Sequence, residues 1–321
     1  MPIQNKLLIG TDEAGYGPNL GPLVVTATAW ELPMELEPAG LWREFHKVLT
    51  DHPERGDSRL FVADSKAVFS SGKSLEDLEV PVLAFLQTLG HNTASMDVLG
   101  TSLAGARFVD GYRGEIWNST PGLTLPRDSS GDHVGEWSET LTVEMQRLQI
   151  RLLAARSRIL FPKEFNQRTA AAGSKGVVNS EATLELVRSL SDEFCDHRSV
   201  FVVCDKHGGR NRYDELISAA FDDQFVFRLE ESRESSRYRM GRAEFCFRTH
   251  AEELLPVALS SMISKYVREI LMHQFNAFWV ERIPGLKPTQ GYPVDAKRFH
   301  DAIAGAVQQL GVPDEVLWRS R

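Results

Sequence analysis

The sequence predicts an α/β fold with a mixed central β-sheet flanked by helices, and three observations carry that prediction. A short apolar run, Leu7-Leu8-Ile9, and a Val/Thr-rich stretch, residues 23–30, flank a Gly/Pro-rich turn in the manner of a long hairpin. The run Val200-Phe201-Val202-Val203-Cys204 has strand length and no polar face, so it reads as a strand buried on both sides. Segments of helical period lie between and after these runs, and strands mixed with helices in this order make an α/β architecture.

Taken along the chain, the first run ends in Gly10-Thr11-Asp12-Glu13, which puts two carboxylates at the turn end of the hairpin. Residues 74–89 have helical spacing, with Gly90 as the stop. Gly, Ser, Pro, Asp and Trp cluster without period over about 105–136, where an inserted loop or lid is expected. A helix is expected over 137–160, carrying Arg147, Arg151, Arg156 and Arg158. Residues 225–229 and 244–248 are strand candidates joined by a charged, Ser/Arg-rich connection. Pro256 then opens the strongest helical pattern, in which Leu259, Ile263, Val267, Ile270 and Phe275 keep the helical period. A helical part, about 256–321, is expected to complete one domain spanning 1–321.

Composition narrows the function classes. The 321 residues carry 36 Lys and Arg against 44 Asp and Glu, a net charge of −8, which argues against coating nucleic acid by charge alone but allows a local basic groove. Cys195, Cys204 and Cys246 form no C-x-x-C pair, which suits a reducing, cytoplasmic setting without structural zinc. No apolar run reaches the roughly 18 residues of a membrane span, and Met1-Pro2-Ile3-Gln4-Asn5-Lys6 does not read as a signal peptide.

The stretch Asp12-Glu13-Ala14-Gly15-Tyr16-Gly17 is the most informative. Two adjacent acids leaving a buried strand are costly to desolvate unless a cation compensates, and magnesium or manganese wants such oxygen ligands. The glycines let the backbone approach a ligand closely. Taken alone, the stretch reads more readily as a Gly/Pro turn with solvated acids. The spacing is not a dinucleotide fingerprint, because a strand rather than a helix follows. Gly72-Lys73-Ser74 ends like a phosphate loop but lacks its first glycine, and no H-E-x-x-H or nucleophile elbow is present. Asp205 is a strand-end acid, followed by a basic loop, Lys206-His207-Gly208-Gly209-Arg210, suited to a phosphate or to solvent. Glu252 and Glu253 precede the long helix, where acids favour the N-terminal dipole.

In this order the blocks resemble the type 2 ribonuclease H family, ribonucleases HII and HIII. Residues 9–17, with Gly21-Pro22 after them, resemble its D-E-A-G-x-G…G-P opening, and Asp64-Ser65-Lys66 its D-S-K. Residues 161–166 with Asn179 are similar to its P-x-x-Y-N…N segment, and residues 202–205 fall where it has the strand with its third acid. Residues 249–253 and 257–265 resemble its T-K-A-E-S…V-A-A-A-S-I-I-A-[KR] run, Gly291-Tyr292 its late G-Y, and residues 318–321 faintly its H-R-R-S ending. The resemblance implies a ribonuclease H-like fold and hydrolysis of the RNA strand of RNA–DNA hybrids with two Mg²⁺ or Mn²⁺ ions about 4 Å apart. It assigns the metal-binding, catalytic carboxylates to Asp12, Glu13, Asp205 and Glu252, with Glu253 as the alternative fourth. It assigns substrate contacts to Gly15, Tyr16, Gly17, Tyr292 and Lys66. The family's G-R-G or G-K-G loop here reads Gly15-Tyr16-Gly17, so one basic side chain is missing. That loss leaves two rival expectations, a catalytically weak hybrid-binding module and a nuclease of the same fold acting on another nucleic acid. No membrane and no obligate protein partner are expected.

Overall fold

The computed structural model describes residues 5–69, 74–118 and 121–320; Met1 to Gln4, Gly72 and Lys73 of the discarded phosphate loop, and Arg321 lie outside the described residues. The strands are β1 (Asn5–Ala14), β2 (Leu23–Pro33), β3 (Leu49–Thr50), β4 (Leu60–Phe61), β5 (Arg151–Leu160), β6 (Val200–Asp205), β7 (Phe227–Glu231), β8 (Ser235–Met240) and β9 (Ala243–Arg248). Seven of them form one sheet in the order β5-β2-β1-β6-β9-β8-β7, and β3 and β4 pair separately. β1 runs parallel to β6, and β6 to β9. The remaining pairs of the large sheet are antiparallel, so it is mixed, as the sequence predicts.

The helices are α1 (Leu41–Phe45), α2 (Ser65–Val68), α3 (Glu76–Thr88), α4 (Met96–Ala104), α5 (Ala106–Arg113), α6 (Gly131–Leu148), α7 (Pro162–Ala172), α8 (Lys175–Phe194), α9 (Asp214–Ala220), α10 (Leu255–Arg282), α11 (Pro293–Leu310) and α12 (Asp314–Leu317). Alternation along β1 separates the two faces of the sheet. Leu8 packs with Trp30, Phe85 and the α10 residues Leu259, Ile263 and Tyr266. Leu7 and Ile9 pack on the opposite side with Val178, Val187, Tyr213 and Phe247. Helix α10 lies directly on β1. A Cβ at Gly10 would stand 2.5 Å from the Pro256 carbonyl carbon, and Ser260 donates to the Gly10 carbonyl at 2.9 Å.

Four sequence expectations are corrected. β1 continues through Asp12 and Glu13 to Ala14, so both acids sit in the strand rather than beyond it. The expected loop or lid at 105–136 contains α5 and the first turns of α6, and it buries Phe108, Tyr112, Trp117, Leu125 and Val134. Some of its glycines mark close packing: a Cβ on Gly111 would lie 2.3 Å from the Phe161 ring, and one on Gly122 would lie 2.7 Å from the Asp97 nitrogen. The helix expected over 137–160 ends at Leu148, where Gln149 takes a left-handed conformation, and β5 follows. The Ser/Arg-rich connection between the two late strand candidates is itself a strand, β8, in which Ser236, Tyr238 and Met240 are buried and alternate with exposed Arg237 and Arg239.

Two buried acids stitch the 114–130 stretch into place. Glu79 of α3 accepts the backbone N–H groups of Arg127, Asp128 and Ser129 at 2.7, 2.8 and 3.0 Å, and the Tyr266 hydroxyl at 2.7 Å. Glu115 accepts from the Trp117 indole at 2.7 Å and the Asn118 amide at 3.0 Å, but its other oxygen is buried without a partner. Burial raises its carboxyl to about 8, against the two hydrogen bonds that favour the anion. Between about pH 4.5 and 8 the folded chain therefore keeps a proton that the unfolded chain has lost. Stability should fall as pH rises through that window and level off above it. Glu115→Gln is expected to melt like the parent at pH 5 and higher at pH 8, by a difference with a ceiling of about 5 kcal/mol. Parallel melting curves of the two proteins across this range would remove Glu115 as the cause.

Candidate active site

Asp12 and Asp205 lie side by side where the parallel pairing of β1 with β6 ends. Thr11 of β1 is in register with Cys204 of β6, so Asp12 and Asp205 are the next residues on adjacent strands. Glu252 comes from the single 3₁₀ turn Ala251–Glu253 that leads into α10. Packing around Asp12 raises its carboxyl well above the usual range, the charges of Glu13 and Asp205 add to this, and the Ser261 hydroxyl opposes it. Glu13 is raised by burial and by Asp205 and is eased by the Asn179 amide and Lys66. Asp205 is raised by burial and then by Glu252, with the backbone N–H groups of Lys206 and Ala251 working the other way.

Lys66 is the cation facing this group. It stands on α2, whose first turn is capped by Asp64 accepting the Lys66 N–H. Its ammonium is held charged by Asp64 first, then by Asp12, Glu252 and Asp205. Glu253 points elsewhere: its carboxylate accepts from Arg248 at 2.9 Å and is mostly exposed, so Glu252 is the acid of the pair that shares the field of Asp205. Among the described residues no three His, Cys, Asp or Glu side chains close around one point able to hold an ion. The donor set nevertheless suits a hard divalent cation, being all carboxylate, crowded and offset by one lysine.

The glycine turn that follows β1 is held by two buried arginines. Gly15 has φ of +91°, and a Cβ there would lie 2.5 Å from the Pro22 carbonyl oxygen and 2.6 Å from Arg268 Nε. Arg319 donates to the Gly15 carbonyl at 2.5 Å and to Tyr16 at 3.3 Å, with its guanidinium 4.0 Å from the Phe165 ring centroid. Arg268 donates to the carbonyls of Leu20 and Gln290. Asn19 donates to the Arg319 carbonyl at 3.1 Å and accepts the Arg319 N–H at 2.8 Å. Asn166 ties the same segment through Trp318 and Ser320. Gly291 accepts the N–H groups of Asn19 and Leu20, and a Cβ on it would meet the Leu20 carbonyl oxygen at 2.5 Å.

The expected substrate residues take these places. Tyr292 is exposed at the start of α11, with its ring 3.8 Å from where a Gly17 Cβ would be. Tyr16 turns toward the Gly208 loop, 3.0 Å from where a Gly208 Cβ would stand. Arg268, Arg319, Asn179 and Ser261 were not singled out as functional from the sequence. Arg319 and Asn179 had a signal in the family blocks that contain them. Ser261 likewise lies in a family block, residues 257–265, and Arg268 follows that block on the same helix.

No family model matches the chain, and no curated protein matches it. In structure it is similar to ribonucleases HII and HIII at low identity. A Bst ribonuclease HIII in complex with Mn²⁺ is 14% identical over 99% of this chain and 67% of that one, with a TM-score of 0.43. A ribonuclease HII from Archaeoglobus fulgidus, solved in complex with PCNA, is 15% identical over 98% and 94% of the two chains, with a TM-score of 0.41. A ribonuclease H2 from Pyrococcus horikoshii is 14% identical over 97% and 92%, with a TM-score of 0.43. Among the described residues no helix is long and apolar enough to cross a membrane.

Proposed function

We propose that this chain is a metal-dependent endoribonuclease that hydrolyses the RNA strand of RNA–DNA hybrids. The observation that supports the reading is the like charge shared by Asp12, Glu13, Asp205 and Glu252, drawn from three separate stretches of chain and partly offset by Lys66. In this reading those four carboxylates hold two Mg²⁺ or Mn²⁺ ions, which when bound supply an activated water and stabilise the leaving 3′ oxygen. The chain's own residues shape the substrate site. Lys66 offers a counter-charge to the phosphate, and Gly15 and Gly17 let a sugar approach the backbone. Tyr292 can pack its ring on the ribose and bond the 2′-OH that separates RNA from DNA.

The second reading is a hybrid-binding module with little activity, favoured by Tyr16 standing where the family's glycine loop carries a basic residue and by the acidic net charge. Labelled RNA–DNA hybrid, single-stranded RNA and duplex DNA, incubated with and without Mn²⁺, separate the cases. Mn²⁺-dependent cutting confined to the hybrid supports the enzyme. Binding without cutting supports the module, and preferential cutting of another nucleic acid overturns the substrate assignment.

Tyr292 supplies a finer test. Tyr292→Phe is expected to lower kcat/KM on hybrid about tenfold, the worth of one hydrogen bond, with no change in melting because the residue is exposed. With tyrosine at position 16, a duplex carrying one ribonucleotide should be cut at least about tenfold more slowly than an all-RNA strand, since it has a single 2′-OH to hold. Equal rates on the two substrates would show that Tyr16 costs nothing.

A further inference from the structure

The loop after β6 reads from the sequence as basic, Lys206-His207-Gly208-Gly209-Arg210, yet its first two side chains are turned inward. Lys206 is buried and donates to the Asn211 side chain and the Ser232 carbonyl, both at 2.7 Å. His207 is 3% exposed, with its ring edge-on to Tyr213 and Phe247 at 5.7 and 5.8 Å between centroids. Its backbone N–H donates to the Tyr213 hydroxyl at 3.0 Å. Packing alone would suit a phenylalanine here, but both ring nitrogens meet hydroxyls of one helix, α8. Nδ1 lies 2.9 Å from Ser180 Oγ, and Nε2 lies 3.4 Å from Thr183 Oγ1.

The hydrogens available give the shorter contact a direction. The Ser180 hydroxyl donates its one hydrogen to the Gly176 carbonyl at 3.0 Å, so its contact with the ring needs a hydrogen on Nδ1. Thr183 donates to the Asn179 carbonyl at 2.9 Å, which leaves its longer contact with Nε2 the weaker of the two.

The His207–Ser180 bond joins two segments that both border the carboxylates. His207 stands two residues beyond Asp205, and between them the Lys206 N–H is fixed to the Arg248 carbonyl at 3.1 Å. The Tyr16 hydroxyl, from the glycine turn after Glu13, is seated between the two segments. It lies 3.4 Å from where a Gly176 Cβ would be and 3.0 Å from where a Gly208 Cβ would be. One buried contact thus sets where the end of β6 stands relative to α8 and to that turn.

We propose that the hydrogen bond from His207 Nδ1 to Ser180 is a positioning contact of the carboxylate site, fixing Asp205 at the exit of β6 against α8 and the glycine turn. This rests on the nuclease reading above, in which Asp205 holds a divalent ion. His207 itself touches neither ion nor substrate.

The test is the Mn²⁺ affinity of the folded protein, followed by the EPR signal of the free ion. Melting in metal-free buffer and the ¹⁵N spectrum of the histidines accompany it. The parent spectrum should contain a histidine with hydrogen on Nδ1 that disappears in His207→Asn. His207→Leu and Ser180→Ala should each weaken Mn²⁺ binding about tenfold, the lower end for groups that orient metal ligands. Ser180→Ala removes only one hydroxyl and reads the same contact where His207→Leu does not fold. His207→Asn, whose amide N–H takes the place of Nδ1–H, should keep most of the parent's affinity. A role in folding alone would lower melting and leave Mn²⁺ affinity where it was. That result, an Asn variant as weak as the Leu variant, or hydrogen on Nε2 alone overturns the assignment while the nuclease reading stands. If the parent neither binds Mn²⁺ nor cuts hybrid, the nuclease reading falls and takes this assignment with it.

Discussion

Asp12→Asn is expected to lower hybrid cleavage at least a hundredfold while leaving the folded chain more stable than the parent in metal-free buffer. The substitution keeps the shape of the side chain and removes one of the like charges crowded between β1, β6 and the 3₁₀ turn before α10. Burial, then Glu13, lifts the Asp12 carboxyl, so the native state holds protons that the unfolded state releases above the ordinary carboxylate range. Parent stability should therefore decline as pH rises from about 4 upward, and the variant should decline less. Added Mn²⁺ should raise the parent's melting temperature, because a ligand of the native state stabilises it, and the variant should lose most of that rise. Glu252→Gln should share the loss of cleavage. Glu253→Gln should not, because Glu253 is engaged with Arg248. Cleavage by Asp12→Asn within tenfold of the parent would remove Asp12 as a metal ligand.

The largest effect on stability is expected at Glu79. Three backbone N–H groups and the Tyr266 hydroxyl converge on its two oxygens, and the residue is fully buried. Hydrogen bonds to a charged acceptor contribute about 1.5–3 kcal/mol each but do not add fully, and Glu79→Ala also leaves four donors without their acceptor, the Tyr266 hydroxyl among them fully buried. A loss of about 4 kcal/mol is expected, read as a lower urea midpoint at unchanged m-value. Glu79→Gln should fall between the two, since its amide presents one N–H group to donors that need an acceptor. A loss below about 1 kcal/mol in the alanine variant would mean that water replaces the carboxylate and that the 127–129 turn does not depend on it.

The legible parts of the fold were those whose signal is local. The β1 and β6 runs are apolar on both faces, and the α10 pattern is long and opened by a proline, so each identifies itself without its neighbours. β5 was hidden because Leu152, Leu153, Ala154, Ala155 and Arg156 are good helix formers, and only pairing with β2 overrides that preference. β8 was hidden because its period-2 pattern is written in Ser, Arg, Tyr and Met rather than in branched apolar residues. At the site, Asp12, Glu13 and Asp205 were visible because acids at the end of an apolar run are conspicuous. The resemblance alone put Glu252 ahead of Glu253, and the reach of Arg248 to Glu253 adds a geometric reason. The role of Arg268 and Arg319 was out of reach for a different reason: each acts on carbonyls far away in sequence, and a family block near either residue does not announce a buried guanidinium.

The clasp between Asn19 and Arg319 sets a timetable. The two residues are 300 positions apart, and a ribosome adding about 5–20 residues per second delivers the second some 15–60 s after the first. The β1–β2 hairpin can form early, from neighbours in the chain, but the carbonyls of its turn meet the Arg268 guanidinium late and the Arg319 guanidinium later still. Through that interval the nascent chain carries Asp12 and Glu13 beside a turn whose arginine partners have not yet been made. The order of synthesis thus fixes this turn well after the hairpin that bears it.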